Sequence, residues 1–275
     1  MSASQGILHD IMFFFFSAAG LLLLFILARH IGTLHHHWVL KHRPERRSPA
    51  TDSTGYLVSS ALALLGLLIG FTFSMAVQRY DERRHAVNAE ANAISTVYAR
   101  AGLFEEPIAS RLQAAVARYA VDRRDFVKAG ENAAALDAAA RDASDAQNKM
   151  WAIMKEALSD KDAQVYATST LASMNEMFDL AATRQALIEA HLPIMVMAVL
   201  IGFALATAYL LGYGSAHERQ DHNAAMTIVF ALVATAIALI FDLDRPRLGF
   251  IKIDQAPMER IIVSINPPKA MLNGQ

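Results

Sequence analysis

Hydrophobic and polar positions divide the chain into four long apolar blocks with mixed sequence between them. Ile7–Ala28 carries FFFFSAAGLLLLFILA after Asp10. Tyr56–Val77 holds GLLIGFTFSMAV. Leu192–Tyr213 reads LPIMVMAVLIGFALATAYLLGY, and Ala224–Phe241 reads AAMTIVFALVATAIALIF. Apart from Asp10, none of the four contains Asp, Glu, Lys or Arg. A helix that crosses a bilayer needs about 20 such residues, and each block meets that length. The first block could also be read as a cleaved signal peptide. It lacks a basic leader, however, and its apolar core exceeds the usual ~7–15 residues, so a retained span is the expectation.

The 113 residues between the second and third blocks are polar and read as helix throughout. They are rich in Ala, Glu, Arg, Gln and Met and show no alternating strand pattern. Breaks fall at Gly102 to Pro107, at Gly130-Glu131-Asn132, and at Ser159-Asp160-Lys161-Asp162, where Ser or Asp can cap a helix start. Helices are therefore expected near 78–103, 107–128, 133–158 and 162–191.

No break separates the second block from this insert. Phe73, Ala76, Tyr80, Arg84, Val87, Ala91, Ile94, Tyr98 and Ala101 recur at steps of three and four, which is one helical seam. The seam predicts a single rod of forty-odd residues, roughly 65 Å at about 1.5 Å per residue. The fold class that follows is all-α: a polytopic membrane protein with four transmembrane helices and a helical insert continuous with the second. Its parts are residues 1–77 (first helix pair and its basic, His-rich loop), 78–191 (extramembrane insert), 192–241 (second pair) and 242–275 (polar tail).

Composition agrees with a membrane protein. The chain is 54% hydrophobic, against about 45–50% for soluble domains. The net charge is −1, and residues 78–190 hold 14 Lys and Arg against 17 Asp and Glu. That balance offers no nucleic-acid surface. With no cysteine, disulfides, thiolate metal sites and cysteine nucleophiles are excluded.

With four spans, both termini and the insert share one side of the membrane. That side carries Arg79, Arg83, Arg84, Arg184, Arg245, Arg247, Lys252 and Arg260 near the bilayer. The other carries Arg29, Lys41, Arg43, Arg46, Arg47 and Arg219. The positive-inside rule leans slightly to a cytoplasmic insert in a bacterial inner membrane. Gly66 and Gly70, and Gly202 with Ala206, have the spacing that lets membrane helices approach closely.

Three polar clusters are candidates for chemistry. His30, His35, His36, His37 and His42 lie beside Lys41, Arg43, Arg46 and Arg47. Those bases repel a cation, so a wet interfacial loop is expected and not a metal site. Asn175, Glu176 and Asp179, with Arg184 after them, could serve as acid and base or hold a cation. No partner motif accompanies them, and a structural polar network is the simpler reading. Asp242 and Asp244, followed by Arg245, end the fourth block, where acids oppose the helix dipole. A basic partner is expected: Arg79, Arg83 or Arg245. No phosphate-binding loop, dinucleotide fingerprint or hydrolase motif occurs. An enzyme is not expected, nor any cofactor.

Three stretches together resemble the bestrophin-like family of bacterial membrane proteins: GFTFSMAVQRYDERRHAVNAEANAISTVYAR (70–100), NEMFDLAATR (175–184) and LDRPRLGFIKIDQAP (243–257). The more distant resemblance to bestrophins implies a homo-oligomeric anion channel with lipid and inorganic anions as partners. Their neck pattern of Gly-Phe followed by Arg and an aromatic is similar to Gly70-Phe71 and Arg79-Tyr80. On that likeness Leu67 and Phe71 form the pore neck, and Arg79 and Arg83 a charged mouth. Ala63 departs from the bulky residue of the pattern. The tail has no acidic calcium-clasp run. The alternative is a non-conducting membrane scaffold or signalling protein whose insert binds a partner.

Overall fold

The computed structural model describes residues 3–42, 51–130, 132–217, 223–246 and 250–266. Among them all regular structure is helical. The helices are α1 (Ala3–His42), α2 (Thr51–Ala101), α3 (Ile108–Lys128), α4 (Ala133–Ser159), α5 (Gln164–Glu189), α6 (Ile194–Gly214), α7 (Asn223–Asp244) and α8 (Ala256–Ile265). Four helical stretches are long and apolar enough to cross a membrane. The chain divides into two compact units, Met1–Arg79 with His191–Ile251, and Tyr80–Ala190 with Lys252–Gln275.

The expected rod is present: α2 runs unbroken through the charge cluster at 79–84. Its buried stripe departs from the expected seam at Phe73 and Arg84, which are exposed, and at Tyr80 and Tyr98, which are half-buried. Ala76, Arg83, Val87, Glu90, Ala91, Ile94, Val97 and Ala101 are buried, whereas Arg84 is exposed. The stripe steps three from Tyr80, not four, so two charged residues one heptad apart enter the seam.

In the first unit α1 packs along α6 and α7. The crossing of α1 and α6 is made by backbone. A Cβ on Gly32 would overlap the main chain of Tyr209, and one on Gly212 would overlap the main chain of Arg29. The glycines that the sequence singled out do something else. Nothing lies within 4 Å of a Cβ built on Gly66, Gly70 or Gly202. Phe25, 1% exposed, meets Phe230 of α7 with ring centroids 6.2 Å apart.

The second unit is a helical bundle. α3 pairs with α4, α4 with α5, and the short α8 lies on α3. Its centre is unusually rich in methionine: Met150, Met154, Met174, Met177 and Met258 are all fully buried. Unbranched thioether chains fill the irregular gaps that alanine-rich helices leave. Each such burial contributes about 1.5–3 kcal/mol. Turn chemistry sets the helix ends. Gly130 takes φ +61°, the left-handed conformation that stops α3. The Asn132 side chain then accepts from Ala135 N at 3.1 Å to start α4.

Candidate functional site

Pro193 organises the residues that bear on function at the start of the third span. Proline removes one N–H and forces the preceding residue out of helical conformation. α5 accordingly stops at Glu189, and α6 restarts at Ile194. The stop leaves carbonyls at the end of α5 without helical donors. Arg83 supplies them. Its Nε donates to Leu187 O at 2.9 Å and its Nη2 to Ala190 O at 2.6 Å. The side chain is 1% exposed. The expected place of Arg83 at a charged mouth is therefore corrected: a guanidinium buried on main-chain oxygens is a clamp. Arg79, one turn earlier, is half-buried.

The acids ending α7 meet main-chain amides. Asp242, 2% exposed, accepts from Phe250 N at 2.7 Å and Ile251 N at 2.8 Å, one amide on each carboxylate oxygen. These bonds tie residues 250 and 251 to the end of α7. Among the described residues the partners of Asp242 are these two amides and not the expected basic side chain. Two N–H dipoles aimed at one carboxylate offset the unfavourable end of the helix dipole. Asp244 accepts Leu192 N at 2.8 Å. Its carboxylate also lies 3.5 Å from His191 Nδ1, which donates to Asp244 O at 3.0 Å. Arg245 is exposed beside them; Arg247 lies outside the described residues.

The expected network on α5 is divided. Asn175, Glu176 and Asp179 are exposed, while Arg184 is 1% exposed. Arg184 faces a partner that the sequence did not suggest. Glu90 of α2, fully buried, receives Arg123 Nε of α3 on one oxygen and Arg184 Nη1 on the other, both at 2.5 Å. Arg123 also donates to Ala181 O at 3.1 Å and stacks over Phe126 at 5.4 Å. Arg184 Nη2 donates to Gln255 Oε1 at 2.6 Å, which ties in the segment before α8. Two buried cations thus share one carboxylate across α2, α3, α5 and the tail. The signal available in sequence was the heptad spacing of Arg83 and Glu90. Charges at two successive core positions of one rod imply buried partners.

Burial near this triad also acts on Tyr119, whose phenol is pushed up to about 12, with Arg123 opposing and Glu90 reinforcing the shift. Asp122 of α3, also buried, is raised by desolvation despite its ion pair with Arg118 at 3.0 Å.

The histidines stand on helix. α1 extends to His42, so His30 to His42 are not the loop expected from sequence. Arg43, Arg46 and Arg47 lie outside the described residues. His35 hydrogen-bonds the Tyr209 hydroxyl through Nδ1, and His36 meets the Tyr213 ring edge-on at 4.9 Å. No two of the five are three or four residues apart, which is the spacing that brings two ligands onto one helix face.

On the membrane half of α2, Leu67 is 55% exposed and Phe71 64% exposed. Leu57, Leu64 and Met75 are exposed with them, and the flanking Gly66 and Gly70 open onto empty space. Among the described residues, an apolar, glycine-lined face of this helix is uncovered.

A multi-pass all-helical membrane protein is the class these features define. The chain belongs to the bestrophin-like family: the bestrophin-like domain matches residues 22–258. The fold is similar to that of a bacterial bestrophin homologue from Klebsiella pneumoniae. One single-substitution variant of that homologue superposes with a TM-score of 0.64 at 14% identity, covering 90% of this chain and 98% of that one. Another structure, solved by zinc phasing, gives 0.63 at 12% identity, covering 91% and 96%. No curated protein matches the chain in sequence.

Proposed function

We propose that the protein is a homo-oligomeric anion channel of the bacterial inner membrane, with its pore neck on α2 at Leu67 and Phe71. The observation that carries this reading is the uncovered face of α2. Leu67 and Phe71 stand one turn apart, exposed, on the same helix as Gly66 and Gly70. Copies arranged about an axis would bring these faces together. An apolar ring narrow enough to shed water blocks ions until it widens. Arg79, two turns beyond Phe71, is the candidate for a positive mouth that concentrates anions. Membership of the bestrophin-like family and the fold shared with the bestrophin homologue support a bestrophin-like reading.

The test is ion flux from liposomes containing purified protein. Leu67→Ala/Phe71→Ala should leak anions while keeping the assembly size, and Arg79→Gln should weaken the preference for chloride over sodium. Intact oligomers that stay tight to both ions in every variant would leave a non-conducting scaffold as the function.

A further inference from the structure

We propose that the Glu90, Arg123 and Arg184 triad binds a small monovalent anion of halide size, held by Arg184 Nε and the Tyr119 hydroxyl. Charge is the first observation. Among the described residues, the buried charges of the second unit are Arg83, Arg123 and Arg184 against Glu90 and Asp122. Asp122 is paired with Arg118 at 3.0 Å, and Arg83 lies on main-chain carbonyls. At the triad one carboxylate faces two guanidinium groups, which do not lose their protons in proteins. Glu90 is 0% exposed, Arg184 1% and Arg123 6%. Ala181 O and Gln255 Oε1 also accept from the two arginines, but they bring dipoles and no charge. Buried charge is tolerated where it is matched, and the remainder here is one positive charge.

Unmet donors are the second observation. Arg184 gives Nη1 to Glu90 and Nη2 to Gln255, while its Nε is buried and has no acceptor among the described residues. The Tyr119 hydroxyl is also buried without a partner. Gln147 comes near it, but without the geometry of a hydrogen bond. Tyr119 and Arg123 stand four residues apart on α3, the spacing that places two side chains on one face. The charges of Arg123, Glu90 and Arg184 all act on this phenol, which places it at the triad. Nε can only donate, and a phenol can donate. A water molecule would accept from both and leave the charge unmatched; an anion answers both needs.

Size follows from closure. Arg184 Nε and the Tyr119 oxygen are shut off from solvent. The Tyr119 ring meets Phe178 at 5.8 Å, and Arg123 lies over Phe126 at 5.4 Å. Aromatic walls suit one ion stripped of its hydration shell. Burial pushes the phenol up to about 12, so it stays a donor at neutral pH, where binding should not depend on pH. The site lies in the insert and does not rest on the pore reading.

Thermal unfolding of the full chain in detergent, followed by circular dichroism, tests the site in sodium gluconate, chloride and bromide at equal ionic strength. Both halides should stabilise the protein over gluconate. Above half-occupancy, each tenfold rise in halide should shift the unfolding constant about tenfold. Tyr119→Phe removes one donor and should weaken halide affinity about tenfold. Arg184→Lys keeps the charge without Nε and should abolish the halide effect. Equal stability in all three salts would overturn the proposal and assign the donors to water. A halide effect that is unchanged in Tyr119→Phe would overturn it too, as a general salt effect or an ion bound elsewhere. Should Arg184→Lys fail to fold, wild-type crystals soaked in bromide decide the matter. An anomalous peak in contact with Arg184 Nε is expected, and bromide sites confined to the protein surface would sink the idea.

Discussion

Arg83 and Glu90 stand seven residues apart on the buried stripe of α2 and answer opposite needs of the second unit. Arg83 supplies donors to the carbonyls of Leu187 and Ala190 at the end of α5. Glu90 supplies the one carboxylate on which Arg123 and Arg184 both close. Both residues make a rod of alanine and β-branched contacts specific in register, because a charge in a packed seam is tolerated only where its partners are.

Removing the shared carboxylate should be more damaging than removing the whole triad. Glu90→Gln leaves two guanidinium groups buried without a counter-charge, at a cost of about 3–5 kcal/mol. The combined Glu90→Leu/Arg123→Leu/Arg184→Met variant strands no charge and should lie closer to wild type. Chemical denaturation followed by circular dichroism orders the three proteins.

Asp242→Ala should unfasten the segment after α7 and spare the helix. Each main-chain hydrogen bond to the carboxylate is worth about 1.5–3 kcal/mol. The expected signature is faster hydrogen exchange at the amides of Phe250 and Ile251, with protection along α7 unchanged. Asp242→Asn, which keeps an acceptor, should fall between the two.

Glycine substitutions should separate packing inside the protomer from packing between copies. Gly212→Ala places a methyl group into the main chain of Arg29 and should lower thermal stability of the purified protein, since backbone atoms cannot move aside cheaply. Gly66→Leu and Gly70→Leu meet nothing in the protomer. They should leave the protomer's helical content and its α1–α6 packing intact, and shift the assembly size measured by light scattering.

The Tyr119 phenol provides a pH dependence with a defined sign. Its folded value lies at about 12 against 10.0 for an unperturbed phenol, with burial the largest cause. A group whose folded value is raised gives its full contribution below the unfolded value and loses it as pH climbs toward the folded one. Stability should therefore fall between about pH 10 and about pH 12, by about 2–3 kcal/mol from this residue. In Tyr119→Phe that part of the alkaline loss should be absent, which denaturant midpoints across the interval will show.

Much of the architecture could be read from residue order alone. Local hydrophobicity determines which segments cross lipid, because a spanning helix needs only length and an absence of charge. The continuity of α2 was also legible, since a helical seam that keeps its period through Arg79–Arg84 leaves no room for a loop. The insert's helices start and stop within a few residues of their expected ends, because Gly130, Asn132 and the polar run at 159–162 act on neighbouring backbone.

Partnership was a matter for the tertiary structure. Arg84 was placed in the seam and Arg83 outside it. One residue of helical phase decides between them, and only the carbonyls freed by the break before Pro193 make burial of Arg83 tolerable. Asp242 called for a positive partner by helix electrostatics, yet two amides eight and nine residues later met the need. The glycines in visible G-x-x-x-G spacing open outward, while Gly32 and Gly212, isolated in sequence, carry the α1–α6 crossing. Residue order determines what each segment requires in the way of burial, donors or counter-charge. Which group far along the chain satisfies that requirement depends on how the helices pack, because several candidates of matching chemistry compete and only the fold brings one within bonding distance.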